Sequence, residues 1–163
     1  MINITPFVQK YQQQVIDLIV SIQAKEFGVS ITACDQPDLS DIENYYQKKA
    51  SNFWVALEGS NVVGTIALVD IDNQQGALRK MFVKKGYRGK PLLIGQRLID
   101  TLFKASKAHN ITEVFLGTVP NYYAAHRFYE KNGFTRVNES DLPNNFQIMD
   151  VDKYFYKKMT SDI

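Results

Sequence analysis

The sequence predicts a single α/β domain, residues 1–163, built on one mixed β-sheet with helices on both faces. With 163 residues, 45% of them hydrophobic, the chain is long enough for one well-packed core and short for two. Some segments repeat apolar residues with helical spacing, and others are short β-branched runs bounded by turns. Their order along the chain is ααβββαβαββ, and helices placed between strands favour a mixed sheet.

The N-terminal part of the chain is predicted to be helical. Thr5 and Pro6 are typical of a helix start, apolar residues then fall on one helical face, and Gly28 can end the helix. A polar, irregular segment follows at 32–39. Ser40 is then expected to cap a short helix that runs to about residue 50.

Three strands are predicted next, at 53–57, 62–71 and 77–83. They are rich in β-branched and aromatic residues, and polar turns at 58–61 and 72–76 separate them. The short first turn indicates a hairpin.

The second half of the chain alternates between helical and strand patterns after a basic loop at 84–90. Such alternation is typical of strands joined by crossover helices. The predicted elements are a helix from Pro91 to about residue 109, a strand at 112–119, a helix at 122–131 ended by Gly133, and strands at 134–137 and 153–159.

Composition excludes several classes of protein. A net charge of +2 argues against a nucleic-acid binder that is basic throughout. The apolar runs are far shorter than the roughly 20 residues of a membrane-spanning helix, and the first residues lack the features of a signal peptide. The single cysteine, Cys34, permits no internal disulfide and suits a reducing compartment. We therefore expect a cytoplasmic monomer or homodimer with neither nucleic-acid nor membrane partners.

One segment concentrates the positive charge. Between Asn73 and Ile99 the sequence has seven basic residues and no acidic residue. There a strand is followed by a glycine-containing loop, 86–90, and by a helix start, whose backbone N–H groups and dipole favour phosphate. The loop lacks the sequence of a Walker loop and the glycine pattern of a dinucleotide fold. A polyanionic ligand is one interpretation of this segment, and an ordinary solvated basic face is the other.

Two stretches of the sequence, 81–90 and 124–134, resemble the two core motifs of the GNAT superfamily of N-acetyltransferases. The first reads MFVKKGYRGK and the second reads AAHRFYEKNGF. The predicted element order resembles the family fold from about residue 5 to residue 159. The resemblance implies transfer of an acetyl group from acetyl-CoA to a primary amine of a small molecule, such as an amino acid.

The resemblance also implies how acetyl-CoA is held. The strand 81–83 would pair through its backbone with the pantetheine arm, and the loop and helix start would hold the pyrophosphate through backbone N–H groups. The residues assigned to the cofactor in this way are Met81, Phe82, Val83, Arg88, Gly89, Lys90, Leu92, Leu93, Ile94, Gly95, Gln96, Asn121, Tyr122, Ala125 and Phe128.

Two positions depart from the family pattern. In the motif Q/R-x-x-G-x-G/A, Lys90 replaces the first residue and Leu93 replaces the first glycine. Pro91 at the first helical position favours a right-handed backbone at Leu93, so we expect the helix start to keep its N–H donors. Where many relatives place an asparagine that contacts the cofactor arm, this chain has Tyr122, with Asn121 beside it.

The resemblance assigns Tyr129 as the general acid that returns a proton to the CoA thiolate. A phenol with a pKa of about 10 is protonated at neutral pH and can donate to a leaving thiolate. The alternative is a core aromatic residue whose hydroxyl is satisfied by the protein. The general base is not identified by the sequence: Asp70 and Asp72 are the nearest candidates, and a water relay or unassisted loss of the proton is favoured over both. The two histidines and one cysteine do not make a metal site, so no metal is expected.

For the acceptor site the sequence offers a cation at Arg79 or Lys80. These residues alternate across the strand, so one of them is expected to face the cofactor or substrate side. There it would recognise a substrate carboxylate or the CoA 3′-phosphate, and the alternative is a charge that reaches solvent at a face of the sheet. The predicted acceptor is a small amine that also carries a carboxylate or another anion, bound near the segment 27–46 and the loop 141–150. A polyamine is the alternative acceptor, and its acidic wall would consist of Asp35, Asp38, Asp41 and Glu43.

Two functions of other classes stay open at this point. An acyl-CoA-binding sensor or degenerate transferase is indicated by Leu93 and by the missing general base. A nucleic-acid-binding module could use the basic segment, although that segment lacks interleaved exposed aromatic residues.

Overall fold

A computed structural model describes residues 1–162, with only the backbone of residue 162. Seven strands form one sheet in the order β1-β2-β3-β4-β5-β7-β6; β4 and β5 are parallel, and the other neighbouring pairs are antiparallel. The strands are β1 Ile2–Pro6, β2 Asn52–Glu58, β3 Asn61–Asp70, β4 Gln75–Val83, β5 Glu113–Thr118, β6 Thr135–Val137 and β7 Tyr154–Met159. The helices are α1 Gln12–Lys25, α2 Ile42–Tyr46, α3 Ile94–Ala108 and α4 Tyr123–Lys131. The predicted fold class, a mixed sheet flanked by helices, is confirmed.

The predicted helix start at Thr5 and Pro6 is wrong, because these residues end strand β1. β1 pairs antiparallel with β2 from Ile2 opposite Glu58 to Pro6 opposite Trp54. Since β1 is the edge of the sheet, the missing N–H of proline is tolerated at its end. The first helix therefore starts six residues later, after a turn of 3₁₀ helix at Gln9–Tyr11.

The second helix is also shorter than predicted. Its cap is Asp41, whose carboxylate accepts a hydrogen bond from the Asn44 N–H, whereas the Ser40 hydroxyl donates to Pro37 O at 2.7 Å. The helix ends at Tyr46 rather than near residue 50. The preceding segment contains two turns of 3₁₀ helix.

The core lies on both faces of the sheet. On one face, here called the back, α3 and α4 pack over β-strand side chains such as Leu68 and Leu78. On the front face, α1 and α2 cover another set that includes Phe53 and Val55. Alternate residues of each strand thus reach opposite cores, as a pleated strand requires.

β4 and β5 separate after a short stretch of pairing, and this divergence positions the site. They pair only over Gln75–Ala77 with Glu113–Phe115. Beyond that point β4 remains paired with β3, and β5 remains paired with β7. A gap therefore opens between residues 78–83 of β4 and residues 116–118 of β5, here called the strand opening.

A β-bulge lies on β4 beside the strand opening. Ala67 of β3 pairs with Arg79, but Thr65, two residues away, pairs with Phe82, three residues further along β4. The extra residue is accommodated at Lys80, whose φ is +51°. A bulge of this kind re-aims the side chains that follow it.

The helix after the basic loop begins at Ile94, so the placement of Pro91 at its first position is wrong. Leu93 is the N-cap residue and has a left-handed backbone, with φ +50° and ψ +40°. Across residues 1–162, none of the helices has the length and apolar character needed to cross a membrane.

Candidate active site

The start of α3 offers backbone N–H groups to a ligand. The first N–H that bonds within the helix is that of Arg97, which donates to Leu93 O at 3.0 Å. The N–H groups of Ile94, Gly95 and Gln96 precede it, so they have no carbonyl of the same helix to bond. The Leu93 N–H donates to Gly89 O at 2.9 Å and is used within the loop. Of the five predicted donors, residues 92–96, the last three thus lie in the first turn of the helix, the Leu93 N–H is occupied, and Leu92 precedes the N-cap.

The expected right-handed backbone at Leu93 is wrong. A left-handed L-residue costs about 1–2 kcal/mol because its Cβ approaches the following carbonyl oxygen. The Leu93 side chain is 44% exposed, so packing offsets little of that cost. The substitution of the family's glycine therefore strains the backbone, while the N–H groups after it keep their orientation in the first turn of α3.

The basic loop carries four cationic side chains, here called the loop cations, which differ in their pairing with protein acids: Lys84, Lys85, Arg88 and Lys90. The three lysines are exposed. The Arg88 guanidinium donates to both carboxylate oxygens of Glu26, at 2.6 and 2.9 Å, and its Nε donates to Val83 O at 2.7 Å. These hydrogen bonds lower the pKa of the Glu26 carboxyl. Arg88 is thus exposed but paired with Glu26, whereas the three exposed lysines make no salt bridge within residues 1–162.

The predicted pantetheine strand borders the strand opening. Met81 and Val83 pack toward the back core and Phe82 packs toward the front core. Because β5 has diverged from this part of β4, the backbone edge of these residues is not paired with β5. An extended amide-containing chain fits such an edge as an added strand would.

The α4 residues assigned to the cofactor flank the start of α3. A Cβ placed at Gly95 would lie 3.6 Å from the Phe128 ring, so the two helices meet there. Ala125 is half-buried on the same helix, whereas Asn121 is exposed. The Tyr122 ring packs against Phe27, and burial raises the pKa of its hydroxyl.

Tyr129 is a core aromatic residue with an uncommitted hydroxyl. The residue is 7% exposed, and its ring packs edge-on against Phe134. Within residues 1–162 the hydroxyl makes no side-chain hydrogen bond, and no fully buried polar side-chain atom lacks a partner. The hydroxyl oxygen therefore reaches accessible space. Burial, and secondly the charge of Asp152, raise the pKa of the hydroxyl, which keeps it protonated.

Arg79 and Lys80 both face the front of the sheet, so the expected alternation across the strand is wrong. The bulge at Lys80 turns its side chain to the same side as that of Arg79. The Lys80 ammonium lies 3.6 Å from the Asp38 carboxylate and donates to the Gln36 side chain. Arg79 lies 3.9 Å from the Asp152 carboxylate and donates to Gln147 O.

These four charged side chains, Arg79, Lys80, Asp38 and Asp152, are here called the bulge cluster. Their exposed fractions lie between 10% and 15%. Burial lowers the pKa of both cations, and both carboxylates act in the opposite direction on each of them. The cluster thus has balanced charge and lies under the segment 27–46 and the loop near residue 147, on the side predicted for the acceptor.

The acidic residues considered for other roles have local partners. Asp70 pairs with Gly76 in the β3–β4 ladder, at the closed end of the strand opening, and Asp72 lies in the adjoining turn. Of the possible polyamine wall, Asp35 accepts from the Thr32 N–H and hydroxyl at 3.0 Å, and Asp41 caps α2. Asp35 and Asp41 are thus engaged in local turns, and Asp38 is paired with Lys80.

Sequence reasoning missed two residues of this site, Asp152 and Gly117. Asp152 follows a loop without a recognisable motif, and it is brought to the sheet by a hydrogen bond from the Lys153 N–H to Thr118 O at 3.0 Å. Gly117 interrupts an apolar β-strand, which is a signal of close approach by another group.

A family model described as "Acetyltransferase (GNAT) family" matches residues 16–134. The chain belongs to this family. A GNAT-family acetyltransferase structure from Staphylococcus aureus has a TM-score of 0.94 and 42% identity, and the match covers 98% of this chain and 99% of that one. An acetyltransferase structure from Streptococcus agalactiae has a TM-score of 0.93 and 33% identity, covering 97% and 98%.

Curated relatives share a smaller region. The N-acetylaspartate synthetase of Danio rerio is 38% identical over 108 residues, which are 64% of this chain and 37% of that protein. This GNAT acetyltransferase therefore spans about a third of the length of the N-acetylaspartate synthetases that it matches.

Proposed function

We propose that this enzyme transfers the acetyl group of acetyl-CoA to the amino group of a small amine that also carries a carboxylate, such as an acidic amino acid. The observation that carries the proposal is the buried pair Arg79 and Lys80, which lies on the front of the strand opening, opposite the side on which Tyr129 and α3 lie. A relative that is 38% identical bears the name N-acetylaspartate synthetase, which agrees with an acidic amino acid as acceptor.

Acetyl-CoA fits the groups found on the back of the sheet. The free backbone edge of Met81–Val83 suits the amides of the pantetheine arm. The N–H groups of Ile94, Gly95 and Gln96 suit its pyrophosphate, and the exposed loop lysines add positive charge. Acetyl-CoA supplies an activated thioester, so no covalent intermediate with the protein is needed.

Tyr129 serves as the general acid in this proposal. Its hydroxyl is protonated at neutral pH, has no protein partner within residues 1–162 and reaches accessible space. It donates its proton to the sulfur that leaves the acetyl carbon, and the phenolate is then reprotonated from the amine or from water.

The test is release of free thiol from acetyl-CoA with a panel of amines: aspartate, glutamate, neutral amino acids, spermidine and peptide N-termini. Acidic amino acids are expected to give the highest kcat/KM. Tyr129→Phe is expected to lower kcat by about 10²–10⁴ while leaving acetyl-CoA affinity nearly unchanged. Tyr123→Phe is the matched control, because Tyr123 lies on the same helix and is 67% exposed.

Other outcomes of this panel decide between the remaining functions. Acetylation of spermidine alone would identify a polyamine acetyltransferase. Saturable binding of acetyl-CoA without turnover on any amine would identify an acyl-CoA sensor. Wild-type turnover in Tyr129→Phe would show that the hydroxyl is structural. The cytoplasmic location and the monomer or homodimer state stay predictions, which fractionation and light scattering test.

A further inference from the structure

The Asp152 carboxylate is nearly buried, and within residues 1–162 no side chain donates a hydrogen bond to it. The residue is 9% exposed. Arg79 approaches the carboxylate only to 3.9 Å, and the Met149 N–H is the nearby backbone donor, which lowers the pKa of the carboxyl. Since no fully buried polar side-chain atom within residues 1–162 lacks a partner, a carboxylate oxygen that Met149 does not contact must retain access to solvent or ligand. A buried carboxylate in this state favours a donor from outside the protein.

Gly117 provides the space in which this carboxylate lies. A Cβ at Gly117 would be 2.6 Å from Asp152 Oδ2 and 2.9 Å from its Cγ. Gly117 lies two residues beyond Phe115, where the pairing of β5 with β4 ends. The carboxylate therefore rests directly on the β5 backbone at the strand opening.

The Asp152 carboxylate also acts electrostatically on the hydroxyl of the proposed general acid, Tyr129. Its charge is close enough to raise the pKa of the hydroxyls of both Tyr129 and Tyr122. Asp152 thus lies beside the cation Arg79 of β4, and its charge acts on the hydroxyl of Tyr129 of α4.

We propose that Asp152, seated on Gly117 beside Arg79, binds the ammonium group of the acceptor and accepts its first proton. Asp152 is then the general base that the sequence did not identify. The inference rests on the proposed function, since it names a residue for that same reaction. In combination with Arg79, it favours an acceptor whose ammonium and carboxylate lie close together, as in an α-amino acid.

The proton balance of the transfer assigns one proton to each catalytic group. The ammonium loses its first proton to Asp152, and the free amine forms the C–N bond to the acetyl carbon. The C–S bond breaks, and Tyr129 protonates the sulfur. The second proton of the nitrogen replaces the one that Tyr129 has given, and Asp152 releases the first proton to water. The products are the acetamide, CoA thiol and one proton.

The surroundings of Asp152 act on the pKa of its carboxyl in both directions. Burial raises the pKa of its carboxyl, and Arg79, then the Met149 N–H, Lys80 and Lys153, lower it. The charge of Asp152 in turn raises the pKa of the Tyr122 and Tyr129 hydroxyls. Activity should therefore rise with pH as Asp152 loses its proton.

The test is the pH profile of kcat/KM for the best acceptor in wild type and in Asp152→Asn. The asparagine keeps the shape of the side chain but cannot accept the proton, so we expect kcat/KM at neutral pH to fall about 10²–10⁴-fold. The acid limb assigned to Asp152 should vanish, and activity should recover toward high pH as free amine replaces ammonium. Asp150→Asn, an exposed acid of the same loop, is the control and should keep the wild-type profile.

Gly117→Ala is the second variant, because it displaces the carboxylate without removing it. We expect it to lower kcat/KM more than tenfold with little change in acetyl-CoA binding. If Asp152→Asn does not fold, the activity of Gly117→Ala tests the role of Asp152 instead. A wild-type pH profile with unreduced activity in Asp152→Asn, or in Gly117→Ala, would overturn the role of Asp152 alone. A wild-type protein that acetylates no amine would overturn the proposed function instead.

Discussion

Two arginine–carboxylate pairs in this molecule, Arg88 with Glu26 and Arg79 with Asp152, hold their carboxylates in opposite ways. Near the surface, Arg88 donates two hydrogen bonds at 2.6 and 2.9 Å, and the pKa of Glu26 is lowered. In the interior, Arg79 stays 3.9 Å from its partner, and burial raises the pKa of Asp152. Since hydrogen bonds favour the charged form and desolvation disfavours it, one carboxylate is a fixed anion and the other is suited to accept a proton.

The same contrast divides the cations of the run between Asn73 and Ile99. The loop cations attract a polyanion from solution, and salt screens them over about 8–10 Å. The bulge cluster lies largely out of water, where charge is screened less and geometry decides what binds. The basic residues of this run thus belong to two regions of the fold. The loop cations are suited to attracting a cofactor, and the bulge cluster is suited to discriminating between acceptors.

The largest difference in stability between the two regions is expected when one lysine of each, Lys80 or Lys84, is replaced. Lys80→Met leaves the Asp38 carboxylate, 14% exposed, without its cation, and breaking such a buried pair costs about 3 kcal/mol. Lys84→Met removes an exposed charge and should change stability by less than about 0.5 kcal/mol. Denaturant unfolding measures both. Equal stability of the two variants would mean that the Tyr46 hydroxyl, which also donates to Asp38, satisfies that carboxylate alone.

The next difference is kinetic and compares the two arginines. Arg79→Met should lower kcat/KM for the carboxylate-bearing amine by more than about tenfold, which is about 1.4 kcal/mol. Arg88→Met should act mainly on KM for acetyl-CoA, because Arg88 lies in the loop before α3. Methionine is preferable to glutamate at Arg79, since a third carboxylate beside Asp38 and Asp152 would disturb the fold. An unchanged acceptor KM and kcat in Arg79→Met would remove Arg79 from the acceptor site.

The elements of the proposed cofactor side could be predicted from the sequence because their signals are local. The loop, the helix start and the Tyr129 helix are each contiguous segments with characteristic residues, and the structure brings them to the back of the strand opening. Most strands were predicted within a few residues for the same reason. Strand β1 was missed because Pro6 is common both at the first turn of a helix and at the end of an edge strand.

On the proposed acceptor side the sequence predicted a cation at Arg79 or Lys80, but it did not predict the arrangement, because that depends on distant segments and on one backbone irregularity. Alternation along the strand assigns the Lys80 side chain to the back face, but the bulge turns it to the front. No residue type in the sequence signals this bulge. Asp152 reaches Gly117 only after a loop of irregular structure returns to the sheet. A lone acid in such a loop has no pattern that distinguishes it from its neighbours.

Leu93→Gly tests the backbone of the cofactor side, where the structure reverses the expectation from the sequence. Relief of the left-handed strain, about 1–2 kcal/mol, exceeds the entropy cost of glycine, about 0.5–1 kcal/mol, so a net gain of about 0.5 kcal/mol is expected. Leu92→Gly is the control, because Leu92 has similar exposure and a negative φ, and it should lose stability. Thermal unfolding measures both variants, and a loss in Leu93→Gly equal to that in Leu92→Gly would contradict the strain.

The smallest change in stability is expected for Glu26→Gln. The direction in which this change varies with pH distinguishes the two arginine–carboxylate pairs. The ion pair is partly exposed, so its loss should cost at most about 1 kcal/mol and less at high salt. Because the folded pKa of Glu26 is lowered from its ordinary 4.5, its contribution is present above that pH and is lost as the pH falls through the folded pKa. Asp152→Asn should behave oppositely: its raised pKa makes the wild-type carboxylate unfavourable at neutral pH, so the variant's relative stability should fall on acidification. Unfolding curves at several pH values measure both variants, and parallel pH dependences would mean that the two carboxylates are held alike.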